Sequence, residues 1–283
     1  METLFASKKD LSVGSKKTYT VAFNKNVEEV GDDFYHMSEK KYLEKLNQLS
    51  DDVSNNTKYS MLNLNIMLRK LENNPVNILV KAREKLSDAI ATETVVKLND
   101  LELPTYTEYV DKIDRLEKIH PQQYIVNKLI LMFGFRNMDL NMIILKNTKK
   151  KMILDLNKNY MIIKAKEIEL FINVYKTSKR YGQKVLKFTK KDNKKLYDSI
   201  KNYHDAEHHF LLDKKNRLEI APSSLPSQIR YLTFNYGTSS LFKMIVKHFR
   251  EKGDLDKLNE LSKSRGTSMD VIAVNYNKQS AST

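Results

Sequence analysis

The chain has 283 residues, of which 30% are charged, a formal net charge of +14 and no cysteine. That length supports two domains with their own cores. The missing cysteines exclude disulfides, thiolate zinc sites and a cysteine nucleophile, and no apolar run approaches the roughly 18 residues a membrane span needs.

The positive excess is confined to one part of the chain. Residues 1–100 carry 15 Lys/Arg against 15 Asp/Glu, and residues 101–283 carry 34 against 20. The second part therefore calls for a polyanionic partner, a nucleic acid first and an anionic membrane second. With only 7 glycines and 5 prolines, the chain reads as mainly helical and not as a loop-rich sandwich. The N-terminus METLFASKKD lacks a secretory apolar core, so an intracellular location, cytoplasm or nucleus, is expected.

In chain order, Tyr19, Phe23 and Val27 fall at i, i+4 and i+8 within Leu11 to Val30 and predict a first amphipathic helix. Ser38 reads as the cap of a second, with Tyr42, Leu43 and Leu46 as its apolar stripe. Ser54 to Leu71 reads as a third, with Leu62, Ile66 and Leu71 inward, stopped by Asn73-Asn74-Pro75. A fourth is expected from Val76 to Leu86. Residues 1–97 thus read as an all-helical bundle, either a generic scaffold or a dedicated binding module. The pattern breaks at NDLELP, which places a linker at 98–103 and a second domain at 104–283.

In that second domain, Tyr106 to Leu116 and Gln122 to Phe133 read as helices, the latter strongly apolar and central to the core. Arg136 opens GFRNMDLNMIIL, read as a helix start with Met138, Met142 and Leu145 inward. Asp139, three residues on, is placed to orient the Arg136 guanidinium. From Met152 the period changes to two. Strands are expected at 152–156, 160–164, 168–175 and 184–188, forming a small antiparallel sheet.

Lys176, Lys179, Arg180 and Lys184 cluster on the tip of the last hairpin, in a form that suits a phosphate backbone. A basic helix follows over 190–203. His204 and His208 have the i, i+4 spacing of metal ligands but lack a third, so a plain surface helix is expected. Later helices run through LFKMIVKHF and DLDKLNELSKS, break at Gly266, and resume from Ser268. There Met269, Ile272, Ala273 and Tyr276 share one face.

Four of these features, in this order, resemble the boxes of the tyrosine recombinase (phage integrase) family. They are Arg136 with Asp139, Lys176-Thr177 on a hairpin, Ser227-Gln228-Ile229-Arg230 as a His-x-x-Arg, and Gly266-Thr267 with Tyr276 nine positions after Thr267. The opening helices, around Ser15-Lys16-Lys17-Thr18-Tyr19, resemble that family's core-binding domain. The resemblance implies a divergent member, of the kind carried by viruses and mobile elements. Its fold would be mainly α (α+β), with a helical core-binding domain ahead of a mostly helical catalytic domain.

It implies a site-specific recombinase or integrase that cleaves and rejoins double-stranded DNA through a 3′-phosphotyrosyl link, working as a dimer or tetramer on DNA with no metal or cofactor. Tyr276 would be the nucleophile, Arg136 and Arg230 the phosphate clamps, and Lys176 the acid for the leaving 5′-oxygen. Lys179, Arg180, Lys184 and Arg265 would contact DNA.

Two histidine places of the family hold Ser227 and Thr267. Both can donate a hydrogen bond to phosphate, and neither is a base for a phenol of pKa about 10. A DNA-binding relative without chemistry therefore stands as the alternative. A type IB topoisomerase stands third, because Ala273-Val274-Asn275 precedes the tyrosine where that family usually has a Ser-Lys pair.

Overall fold

A computed structural model describes residues 11, 13–50, 52–99, 103–146, 154–213 and 218–276. Residues 13, 94–99, 179–180 and 273–276 are described for their backbone alone. The chain divides into two compact units, residues 1–100 and 101–283. The fold class is mainly α with one small sheet. Among the described residues, no helix is long and apolar enough to cross a membrane.

The first unit is built from α1 (Val13–Glu29), α2 (Glu39–Asn47), α3 (Asn55–Leu71) and α4 (Asn77–Asn99). Ser38 and Ser54 cap α2 and α3 by accepting from the backbone N–H of Lys41 and Thr57, which satisfies donors that a helix start leaves open. Asn73 takes φ 57° after α3, so the chain turns out of the helix before Pro75.

Phe34, Tyr42, Leu46, Met61, Leu62, Ile66 and Leu79 fill the core. Leu71 does not join it and is 37% exposed. The fourth helix also departs from expectation, running to Asn99 instead of ending at Leu86. IATETVVKL holds no glycine or proline to stop it, so the helix extends through part of the expected linker.

A polar thread crosses this core. Asn26, fully buried, donates to Ala22 O and Met61 O and accepts from the Tyr42 hydroxyl at 2.8 Å. Arg69, 4% exposed, donates to Asn65 Oδ1 at 2.7 Å and to Met37 O. Tyr42→Phe leaves the Asn26 oxygen without that donor. It is expected to cost about 1–3 kcal/mol of stability, read as a lower urea midpoint. An unchanged midpoint would show that water reaches Asn26.

The second unit is organised by α6 (Pro121–Phe133), which packs against α5 (Tyr106–Asp114), α8 (Lys194–Asp205), α9 (Leu225–Leu232), α10 (Thr238–Glu251) and α11 (Leu255–Arg265). Its Tyr124, Ile125, Val126, Leu129, Ile130 and Leu131 are all buried. One polar side chain on it, Asn127, links the neighbours by donating to Leu232 O at 2.8 Å and accepting from the Tyr109 hydroxyl at 2.6 Å.

The sheet runs β1 (Met142–Lys146), β2 (Asn159–Ile163), β3 (Glu167–Ile172), β4 (Lys184–Thr189), in that spatial order, with the short α7 (Ser178–Tyr181) between β3 and β4 in the chain. It is mixed and not purely antiparallel, because β1 lies parallel to β2 with Met142 opposite Asn159. The expected helix after Arg136 is instead a turn followed by β1. Met142 and Ile144 point inward at period two, and Met138 is 47% exposed. The consecutive Ile143 and Ile144 favour a strand. The free side of β1 finds partners in the segment after α8, with Ile144 N–H donating to His209 O and Leu211 N–H to Met142 O.

Of the strand expected at 152–156, residues 152 and 153 lie outside the described residues, and the rest is not strand. His208 is also not on a helix with His204. The helix ends at Asp205, Glu207 takes φ 66°, and His208 pairs with Asp213 while stacking on Tyr203.

Candidate active site

Two helix C-termini meet where the sheet begins. The first is the end of α6, where Gly134 holds φ 65° and its N–H closes on Ile130 O at 2.8 Å. A Cβ there would stand 2.7 Å from the Phe242 ring, so only glycine fits. The second is the end of α11, where Gly266 also holds φ 65°. Its N–H bonds Lys263 O and the N–H of Thr267 bonds Ser262 O, both at 3.1 Å. That reverse turn satisfies two of the last carbonyls of α11.

The two ends are tied together. Ser264 Oγ donates to Phe133 O at 2.7 Å, and the Arg265 guanidinium donates to Gly134 O while lying 4.0 Å over the Phe242 ring.

Helix C-termini carry partial negative charge and leave carbonyls that need donors. Three side chains supply them here. Lys184 Nζ donates to Ser264 O at 3.1 Å, Arg136 Nη1 to Arg265 O, and Thr177 Oγ1 to Gly266 O at 3.4 Å. Lys184 enters from the first position of β4 and lies 3.9 Å over the Tyr175 ring. Burial lowers its amine to about 8; Asp139 raises it and Arg136 lowers it further.

Asp139 is 3% exposed. It does not orient the Arg136 guanidinium by a hydrogen bond, since its Oδ2 accepts from the Arg136 backbone N–H at 2.8 Å. Its other oxygen has no hydrogen-bond partner among the described residues. Burial pushes this carboxyl up, against the opposing pull of Arg136, Lys184 and Arg265.

The cradle is tight around Gly266. A Cβ there would meet Lys184 Nζ at 2.5 Å and Thr177 Oγ1 at 3.0 Å. Gly266→Ala is expected to lower stability by about 1–2 kcal/mol from the left-handed backbone alone and to move the Lys184 amine. A thermal midpoint equal to that of the parent chain would show that the turn is not held as described.

The sequence-derived candidates divide into two groups. Arg136, Asp139, Thr177, Lys184 and the Gly266-Thr267 turn are joined by the contacts above. Lys176, immediately before Thr177, is exposed. Arg265 was expected to contact DNA, yet it is 3% exposed with its guanidinium turned to Gly134 and Phe242. It is a post between helices and not a surface cation.

Arg230 and Ser227 are exposed on α9, and Ser227 Oγ donates to Ser224 O at 2.9 Å within its own turn. The path from α9 to the cradle runs through the chain. Thr238, at the start of α10, donates to Asn137 Oδ1 at 3.0 Å, next to Arg136.

Tyr276 ends α12 (Met269–Tyr276), which Ser268 starts by accepting from Val271 N–H at 3.2 Å. Ile272 buries the inner face of α12, which packs on α10 and α11. The side chain of Tyr276 lies outside the described residues, as do those of Lys179 and Arg180.

Lys184 as an inward group was missed from sequence, where it counted only as one of four hairpin cations. The signal was present: in KVLKF, Lys184 shares the phase of Leu186 and of buried Phe188. A lysine in phase with a strand's apolar face points into the fold. Compared with known proteins, the chain matches no protein-family model and no curated sequence.

Proposed function

We propose that the chain is a tyrosine-type DNA strand transferase, working as a site-specific recombinase or integrase on double-stranded DNA. One observation carries this reading. Arg136, Lys184 and Thr177 converge on the turn that launches the helix bearing Tyr276.

In this mechanism the Tyr276 phenol oxygen attacks a DNA phosphorus and a P–O bond forms to tyrosine. The bond to the 5′-oxygen breaks, and the phenol proton leaves to water. Arg136 is half-buried at the cradle, and Arg230 is exposed on α9. Both bear on the non-bridging oxygens, where charge develops in the transition state. Ser227 and Thr267 add neutral donors. Lys184 gives its proton to the departing 5′-oxygen, a role for which an amine near 8 suits better than exposed Lys176. Lys176 serves as an outer phosphate contact. The cationic surplus of residues 101–283 holds the rest of the duplex.

The test is a pool of nicked duplexes of randomised sequence, in which a cleaved strand cannot religate. An adduct stable to denaturant, recovered and sequenced, would identify both the chemistry and the site. DNA binding without an adduct at any pH would favour the second reading, a binding relative without chemistry. The exposed position of Ser227, with its hydroxyl turned to Ser224 O in its own turn, supports that alternative.

A further inference from the structure

The cations of the cradle are already engaged. Helix α11 ends on carbonyls 262 to 265, and its reverse turn satisfies only Ser262 and Lys263. Ser264 O and Arg265 O, with Gly266 O just beyond, are taken by Lys184, Arg136 and Thr177. These are the groups a phosphate would need. Three carbonyl oxygens at the negative end of a helix present to them a weaker version of phosphate's own oxygens.

We infer that the end of α11 is an internal phosphate mimic: a latch that blocks the cradle and fixes the turn before α12 until a phosphate displaces it. This inference rests on the proposed function for its biological sense, and on the contacts above for its physics.

A phosphate offers these cations full negative charge where the helix end offers about half a charge, so their Coulomb attraction favours the phosphate in the competition. The released Gly266 carbonyl turns to water, which is close because Ser268 is exposed and Gly266 and Thr267 are partly so, and those of buried Ser264 and Arg265 reach water as the turn opens. Freeing Gly266 loosens the point where the chain leaves α11 for α12. Loading the site thereby unlocks the helix that carries Tyr276, and the nucleophile is set loose only where a backbone phosphate is in place. Thr177 and Gly266 act here as positioning residues: one holds the latch, and the other leaves it room.

The experiment uses the full chain and inorganic phosphate, titrated at constant ionic strength against chloride. Binding is read from the phosphorus resonance. Latch release is read from hydrogen exchange at the amides of Gly266, Thr267 and Ile272, which now donate to Lys263 O, Ser262 O and Ser268 O. Exchange at these amides is expected to rise about tenfold or more at saturation, as it does when local structure opens. Thr177→Val, which removes the donor to Gly266 O, should raise it already without phosphate.

Phosphate that binds while these amides stay protected overturns the latch. So does phosphate binding that is unaffected by Arg136→Gln. The nicked-DNA assay is scored separately: release of the turn with no adduct on DNA sinks the strand-transferase reading and leaves the latch standing. Adduct formation with no release sinks the latch alone.

Discussion

Tyr276→Phe is expected to abolish the covalent protein–DNA adduct completely while leaving affinity for duplex DNA within about twofold. The phenol oxygen is the atom that becomes bonded to phosphorus, and no other oxygen of the side chain can replace it. The substitution removes the hydroxyl alone and leaves the ring. The measurement pairs a denaturing gel on nicked substrate with a binding titration at fixed salt. An adduct that persists in Tyr276→Phe means that the nucleophile lies elsewhere. Loss of both adduct and binding means that Tyr276 holds the fold or the DNA and not the reaction.

Lys184→Ala is expected to lower cleavage by about 100- to 10,000-fold, the usual worth of a positioned general acid. Lys176→Ala should weaken DNA binding with a far smaller change in rate. The pH profile carries the sharper expectation. The acid must hold its proton, and burial brings the Lys184 amine down to about 8. The rate should therefore be level below that pH and fall about tenfold per unit above it.

A substrate whose leaving oxygen is replaced by sulfur needs no proton on departure. It should restore most of the rate to Lys184→Ala and flatten the alkaline fall. Should the sulfur substrate fail to rescue Lys184→Ala, yet rescue Lys176→Ala, the acid is Lys176. Arg136→Ala should not be rescued in this way, because its loss removes charge from the non-bridging oxygens and not a proton.

Much of the architecture could be read along the chain, because it is encoded locally. The caps at Ser38 and Ser54, the apolar run of α6, the stop at Gly134 and the stop at Gly266 each depend on a few neighbouring residues. The balanced charge of residues 1–100 and the excess beyond them were also plain in composition. The strand after Arg136 was not. The spacing of Met138, Met142 and Leu145 suits a helix, and the choice fell to the segment after α8, which supplies hydrogen bonds along β1 from more than sixty residues away.

The same division holds at the candidate site. Sequence alone marked Arg136, Lys176, Arg230 and Tyr276 by order and spacing, and it counted Lys184 and Arg265 as equivalent surface cations. Tertiary structure separated those two. Arg265 is buried between Gly134 and Phe242, and Lys184 is drawn inward over Tyr175 to the end of α11. Only packing decides this, since the charge of a side chain is set by its type, whereas its exposure and its pKa are set by residues distant in sequence. The meeting of two helix ends, one at Gly134 and the other at Gly266, lies 132 positions apart in the chain. No local pattern records that meeting; it exists because α6 and α11 pack against each other, so that Ser264 and Arg265 of α11 take the carbonyls at the end of α6 while Lys184, Arg136 and Thr177 take those at the end of α11.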